Sequence, residues 1–362
     1  MNETATELAA PEWVGNAATV GLTMATCTLL SLVFLEDKIC EILGAKQRKG
    51  DAKNEIHLGA FYYSHGKGAA AMATFVCACA LEVNGDRILQ PIWDACLSYG
   101  QPYVSHQAFG GTLATLSFVL ICTYFTYLDL THSPTKVQKD YWPSSKDLWD
   151  AAWPQLLVYT AGQVATWYPW MLDPASQSIE LPHAAPPLWR FGAEFVTITL
   201  AGDFLIYWHH RIMHIVPYFR NHLHNVHHTY SACFSWAGGW VHPIEDGLVV
   251  GCQIIPIVAV APHPIVLWLF SIFWVICLVD EHSGHDMWWS PYQLLPLTGC
   301  PLGGGATPHD IHHYKPTVNY GFIFCIWDHM FGTFEEPKAQ PYNPFVEPLS
   351  RERKKKNKIT AK

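Results

Sequence analysis

The sequence has few charged residues for its length. Only 14% of its 362 residues are Asp, Glu, Lys or Arg, and 50% are hydrophobic. A typical soluble globular chain has roughly 25% charged residues. This deficit indicates that a lipid bilayer, and not water alone, surrounds much of the chain. The net charge of −8 leaves no basic excess, which argues against a nucleic-acid partner.

Several common functional patterns are also absent. None of the 11 cysteines forms a Cys-x-x-Cys pair, and so apolar a chain predicts reduced, structural thiols and no disulfide framework. The glycine run Gly303-Gly304-Gly305 is not followed by Gly-Lys-Ser/Thr, which predicts a flexible loop and no phosphate cradle. No glutamate completes an H-E-x-x-H zinc-protease motif, and no dinucleotide-binding fingerprint or haem-binding domain is visible.

Long apolar runs are present instead, and they predict membrane helices of about 20 residues each. The run 247–279 would reach about 50 Å as one helix, too long for a hydrocarbon core of about 30 Å. Pro262-His263-Pro264 divides it, so we predict a helical hairpin that turns there, with His263 as a turn residue. The other candidate spans are 17–35, 108–128, 151–172 and, less clearly, 69–81.

Lysines set the predicted orientation. Lys38 and Lys46 follow the first run, and Lys136, Lys139 and Lys146 follow the run 108–128, so both loops are expected in the cytosol. The N-terminus, with a glycosylation sequon at Asn2-Glu3-Thr4, would then be lumenal. The hairpin returns the chain to its starting side, which places the downstream histidines and the basic tail in the cytosol.

Eight histidines recur at spacings that bring side chains to one face of a helix. His210 and His214 are four residues apart, and two later H-x-x-H-H clusters repeat the pattern. A single zinc takes about four ligands, so eight imidazoles predict two metal ions. Imidazole suits iron, copper, nickel and zinc alike and does not identify the metal. The later clusters are His224, His227, His228 and His309, His312, His313.

A metal transporter is an alternative function for a membrane protein with many histidines. Such a protein would need histidines spread along its spans, whereas these cluster where spans end.

Asp203 and Tyr207 share a helical stripe with His210 and His214. Asp203 is therefore expected to orient an imidazole, or else to bond a neighbouring helix.

These clusters, with shorter motifs around them, resemble the fatty acid hydroxylase/sterol desaturase superfamily over roughly residues 189–334. The likeness is carried by Tyr207-Trp208-x-His210-Arg211-x-x-His214, His224-x-x-His227-His228, Val241-His242-Pro243-Ile244-Glu245, His282-Ser283-Gly284, His309-Asp310-x-His312-His313, Asn319-Tyr320-Gly321, Trp327-Asp328 and Phe331-Gly332-Thr333.

The resemblance implies an all-α, polytopic membrane bundle with a cytosolic His-box cap that holds two iron ions. It divides the chain into an N-terminal transmembrane region (1–188), the family domain (189–335) and a basic tail (336–362). It adds His242 and His282 to the eight ligands, although His242 before Pro243 could instead cap a helix. Asp203, Tyr207 and Asp310 are the candidates for positions behind the ligands.

The function implied by the resemblance is O2-dependent oxidation of a C–H bond in a sterol or related lipid, in the endoplasmic reticulum membrane. Electrons would come from a b-type cytochrome and a nicotinamide-dependent reductase. Asp203-Phe204-Leu205-Ile206-Tyr207-Trp208 and the His242 segment resemble sterol C-5 desaturases, whereas Glu281-His282-Ser283-Gly284 resembles the oxygen-inserting sterol members. We therefore expect hydroxylation, with desaturation or fatty acyl hydroxylation as alternatives.

Overall fold

The fold is helical throughout the part of the chain that the computed structural model describes, which is residue 79 and residues 88–138, 141–287, 290–294 and 304–335. Within those ranges there is no β-sheet, only two isolated bridges, His106 to Ser178 and Lys136 to His285. The expected span at 17–35, the expected span at 69–81 except for residue 79, the sequon and the tail lie outside the described residues. The prediction of a helical membrane protein is confirmed.

Eight helices make up the described fold. They are α1 (Leu89–Gly100), α2 (Phe109–Leu130), α3 (Ser145–Leu172), α4 (Leu188–Ile215), α5 (Pro243–Val260), α6 (Pro264–His282), α7 (Ala306–Tyr314) and α8 (Ile326–Phe331). Short helical turns connect them at Tyr103–Ser105, Pro174–Gln177, Pro217–Phe219, Arg220–His224, His227–Thr229, Ser235–Gly239 and Pro291–Leu294.

Three of the described helices are long and apolar enough to cross a membrane: α2, α5 and α6. They confirm the predicted span at 108–128 and the predicted hairpin. The run 151–172 does form the helix α3, but α3 is not one of these three. Its N-terminus is fixed by a capping box, in which the Ser144 and Asp147 side chains each accept the other residue's backbone N–H.

The hairpin turns at the predicted tripeptide. Ala261 ends α5 in the left-handed conformation (φ 48°), and α6 begins at Pro264. Both hairpin helices start with a His-Pro pair, and in each the histidine Nδ1 accepts a backbone N–H from the first turn, 3.2 Å away in both cases. His263 is therefore a helix cap, as expected of a turn residue.

Helix α6 is the centre of the bundle. It packs against α2 on one side and against α4 and α7 on another, while α4 also packs along α5. A cluster of buried apolar residues surrounds Trp268, Phe270 and Trp274 of α6. Residues before position 189 thus pack directly on the family domain; the boundary at 188/189 itself stays a prediction.

Lys136 departs from its expected position in a solvent-facing loop. It is 1% exposed and lies 2.6 Å from the Asp129 carboxylate at the end of α2. An isolated ammonium group is very costly to bury, but a carboxylate partner compensates for part of the lost hydration. Of the other lysines expected there, Lys146 is exposed and Lys139 lies outside the described residues.

Candidate metal centre

Nine histidines gather at one end of α4 and α6. They form two groups, and within each group one ring nitrogen per residue lies within 4.8 Å of the others. The first group contains His210, His214, His224, His228 and His312, and the second contains His227, His282, His309 and His313. All eight histidines predicted from helical spacing are among the nine, and His282 is the ninth.

The first group joins three segments of the chain. His214 Nε2 lies 2.8 Å from His224 Nε2, 3.2 Å from His228 Nε2 and 3.1 Å from His312 Nε2. His210 stands one turn before His214 on α4, and its Nε2 is buried without a protein partner. Helix α4 therefore supplies two members, the turns after it supply two more, and α7 supplies the fifth.

All four residues of the second group are buried, with 2–5% of each residue exposed. His282 Nε2, at the end of α6, lies 3.2 Å from His227 Nε2 and 2.8 Å from His309 Nε2. His313 Nε2 is 3.0 Å from His309 Nε2. Gly238 makes room for His282, because a Cβ at Gly238 would lie 3.1 Å from the imidazole ring.

The converging nitrogens carry lone pairs, as expected of a site that could hold a cation. A neutral imidazole has one N–H and one lone pair. The Nδ1 atoms of His210, His312 and His313 face the carbonyl oxygens of Tyr320, Val318 and Tyr230 at 3.0, 2.7 and 3.0 Å, so Nδ1 carries the hydrogen. The lone pair of each residue is then on Nε2, the nitrogen that lies near the other members of its group. Such a donor set fits a bound metal ion at each group.

Burial favours the neutral form of two of these imidazoles. Burial, followed by the neighbouring imidazoles, lowers the pKa of His312 and of His313 well below the usual value. A neutral imidazole is the form that binds a metal. Protonation therefore does not compete for these lone pairs at neutral pH.

The segment that carries His224, His227 and His228 is less regular than its spacing predicts. Arg220–His224 is a π-turn and His227–Thr229 a 3₁₀-turn, so the segment is not the single helical face expected of His224, His227 and His228. The outcome is that His224 and His228 join the first group while the intervening His227 joins the second. This segment links the two groups to one another.

His242 is not brought into either group. Its Nδ1 accepts the Ile244 N–H at the start of α5, the capping role that was the alternative at sequence level. A Pro at the first helical position and a side-chain acceptor before it are both favourable at a helix start.

The three residues expected behind the ligands contact other partners. Asp203 accepts N–H bonds from Ile323, Phe324 and the Trp327 indole, so it holds the segment after α7 and bonds no imidazole in the described structure. Tyr207 lies 3.0 Å from the Thr333 hydroxyl. Asp310 accepts from the Gln138 amide; burial raises the Asp310 pKa to about 6, and that hydrogen bond opposes the rise.

Two carboxylates behind the ligands were not among the predicted site residues. Glu245 of α5 accepts from His224 Nδ1 at 2.5 Å. Glu281 of α6 lies 3.4 Å from His282 Nδ1 and 3.9 Å from His309 Nδ1. Both are 3% exposed. An acidic residue in an apolar run is costly and usually functional, and this argument, applied to Asp203, would have found these two as well.

A cavity of about 100 Å³ lies beside both groups. The apolar side chains that line it include Ile206, Val249, Trp274, Leu278 and Phe322. Histidines of both groups line it as well, together with the acidic residues Glu245, Asp246 and Glu281. A largely apolar cavity beside a cluster of metal-binding nitrogens suits oxidation of a hydrocarbon that is held next to the cluster.

Comparison with known proteins agrees with this geometry. The model of the family described as fatty acid hydroxylase matches residues 195–333, which contain all nine histidines. Cholesterol 25-hydroxylase of Mus musculus is 28% identical over 262 residues, covering 70% of this chain and 85% of that protein. Cholesterol 25-hydroxylase-like protein 1, member 2 of Danio rerio is 30% identical over 263 residues, covering 68% and 90%.

A third relative is similar over a shorter region. Methylsterol monooxygenase 2-1 of Arabidopsis thaliana is 34% identical over 158 residues, covering 41% of this chain and 58% of that protein. No solved structure matches this chain. The likeness to the two hydroxylases extends well beyond the 139 residues from 195 to 333, so it includes part of the chain outside the family match.

Proposed function

Because the chain belongs to the fatty acid hydroxylase family, we propose that it hydroxylates a C–H bond of a sterol or related lipid at a centre of two iron ions. Enzymes of this family are oxidoreductases, and the membrane helices indicate an apolar substrate. The cavity with apolar side chains that lies beside both histidine groups, and that five of the nine histidines line, is the observation that carries the proposal.

The two groups would each hold one ion. His210, His214, His224, His228 and His312 would hold the first, and His227, His282, His309 and His313 the second. Bound reduced iron supplies the ability to activate O2 for attack on an unactivated C–H bond. The carbonyl groups of Tyr320, Val318 and Tyr230 fix the orientation of three of these imidazoles.

The chain itself binds the substrate and excludes water. Helices α4, α5 and α6 each contribute apolar side chains to the cavity, which favour a hydrocarbon segment in place of water beside the histidines. Since α5 and α6 are candidate membrane spans, a lipid can approach the cavity from the bilayer without crossing bulk water.

The co-substrates follow from the electron balance. Insertion of one oxygen atom from O2 leaves the second to become water, which takes up two electrons and two protons. The sequence contains no nucleotide-binding fingerprint, so we propose a b-type cytochrome and a nicotinamide-dependent reductase as the electron source. We place the protein in the endoplasmic reticulum membrane, with the histidines on the cytosolic side.

The choice of hydroxylation over desaturation comes from relatives and from one motif. Of the relatives described above, one is named as a hydroxylase, one as a hydroxylase-like protein and one as a monooxygenase. His282-Ser283-Gly284, which resembles the oxygen-inserting members, supplies a ligand of the second group here. Desaturation would remove two hydrogens from the same substrate and insert no oxygen.

Labelled oxygen separates the two outcomes. Membranes that contain the protein are supplied with candidate sterols, a nicotinamide cofactor and ¹⁸O2, and the products are analysed by mass spectrometry. Hydroxylation gives a product with one labelled oxygen, and membranes with the His312→Ala variant give none. A product two hydrogens lighter and without label would move the protein to desaturation.

A further inference from the structure

A buried polar network joins residues outside the region that the family model matches to residues inside it. Asp129, in the last turn of α2, and Lys136, in the segment that follows α2, form an ion pair of 2.6 Å in which neither side chain is more than 1% exposed. His285 Nε2 lies 3.1 Å from the same carboxylate oxygen, Asp129 Oδ1. A single buried carboxylate thus joins the segment after α2 to the segment after α6.

Backbone hydrogen bonds join the same two segments. Val137 N–H donates to Gly284 O at 2.8 Å, and Asp286 N–H donates to Thr135 O at 2.9 Å. The fit is tight at Gly284, which has a positive φ of 68°, and a Cβ there would lie 2.4 Å from Cys233 O. Gly284 is two residues after His282, so this pairing fixes the chain directly after a ligand.

The same segment also reaches α7. Gln138 Nε2 lies 2.6 and 2.7 Å from the two oxygens of Asp310. Asp310 directly follows His309 and lies two residues before His312, and it is 6% exposed. An amide that donates to this carboxylate fixes the rotation of α7 about its own axis.

These contacts fall unevenly on the two histidine groups. Three of the four members of the second group lie within three residues of Gly284 or Asp310, which this segment contacts: His282, His309 and His313. In the first group only His312 does so. Four of the five members of the first group lie on α4 or on the turns that follow it. We propose that Lys136, Asp129 and Gln138 are positioning residues for the second group, and that they set its geometry and metal affinity separately from those of the first.

The inference rests on the proposed two-iron centre and predicts which ion a variant loses. Gln138→Leu keeps the approximate size of the side chain but removes the donor to Asp310. Lys136→Met keeps the length of the chain but removes the charge that pairs with Asp129. In both variants, we expect the iron content of the purified, membrane-extracted protein to fall from two ions per chain towards one. The Mössbauer signals of the remaining iron should be those of one site only.

Gln163→Leu is the matched control. Gln163 forms hydrogen bonds with Thr112, Thr115 and Trp167 between α2 and α3, and none of these three partners is a histidine. Its loss should leave two ions bound. Gln138→Asn provides a second check, because a shortened amide keeps the donor and should retain more iron than Gln138→Leu.

The possible results distinguish the two-iron centre from the positioning role that rests on it. A wild-type protein that never binds two ions would contradict the two-iron centre itself. A two-iron wild type whose Gln138→Leu and Lys136→Met variants keep both ions would overturn the positioning role alone. Equal loss from both sites in these variants would show a general structural role and would also overturn it.

Discussion

Glu281 Oε2 lies 3.9 Å from His309 Nδ1, and both atoms are buried without a hydrogen-bond partner. A side-chain adjustment of well under 1 Å brings them within hydrogen-bond distance. Glu245 already has this relationship to His224, at 2.5 Å. Each histidine group therefore has one carboxylate behind one of its ligands, and each carboxylate comes from one helix of the hairpin.

The first prediction concerns these carboxylates. Carboxylates behind metal ligands orient the imidazole and raise its basicity, and their loss typically costs about 10–100-fold in metal affinity or activity. We expect Glu281→Gln and Glu245→Gln to weaken iron binding by that order, as measured by competition with a chelator. Glu335→Gln, which removes the carboxylate from a surface pair with Lys315, is the control and should bind iron normally.

The second prediction concerns the ligands themselves. His312→Ala should lose iron from the first group and His227→Ala from the second, and both should abolish turnover while the protein stays in the membrane. Metal analysis of purified protein measures the loss. His222→Ala is the matched control, since His222 is exposed and its ring contacts Tyr218. Full turnover by either ligand variant would contradict its assignment.

The third prediction tests the role of His242. As a helix cap, it should contribute about 0.5–2 kcal/mol to stability, which His242→Ala would lose without loss of iron. His242→Asn retains a capping side chain and should recover most of that stability in a thermal unfolding assay of the extracted protein. Loss of an iron ion from both variants would instead make His242 a ligand.

The fourth prediction concerns the orientation in the membrane. Glu245 and His282 both line the cavity near the histidines, so the ends of α5 and α6 that carry them lie on one side. Helix α5 has 18 residues and rises about 27 Å, which takes the turn at residues 261–263 to the other side. A glycosylation acceptor inserted in this turn should be glycosylated, and a tag after Lys362 should be cleaved by protease in sealed microsomes. A protected tag would contradict the cytosolic placement.

Local spacing predicted the histidines well because a helix converts sequence separation directly into direction. His210 and His214 on α4, and His309, His312 and His313 on α7, needed only that rule. The rule failed to describe the π- and 3₁₀-turns at 220–229, whose geometry depends on contacts with both groups. It also gave no reason to choose His282, whose partner His227 is 55 residues away in sequence.

Other parts of the site depend on tertiary contacts that no pattern within one segment expresses. Lysines after a span usually face water, which predicts that Lys136 lies in a cytosolic loop. Its burial depends on Asp129 seven residues earlier and on Cys233 O, 97 residues away. Asp203 was noticed because an acid in an apolar run is unusual, yet its partners are backbone N–H groups 120 residues further on.

The histidines of the first group connect distant parts of the chain, since His214 and His312 are 98 residues apart. An ion bound to such residues closes a long loop and binds only the folded chain, so its binding free energy adds to the stability of the fold. The abundance of the protein then depends on iron supply. Cells starved of iron should degrade newly made chains faster than loaded ones, and a pulse-chase experiment with and without an iron chelator measures the difference.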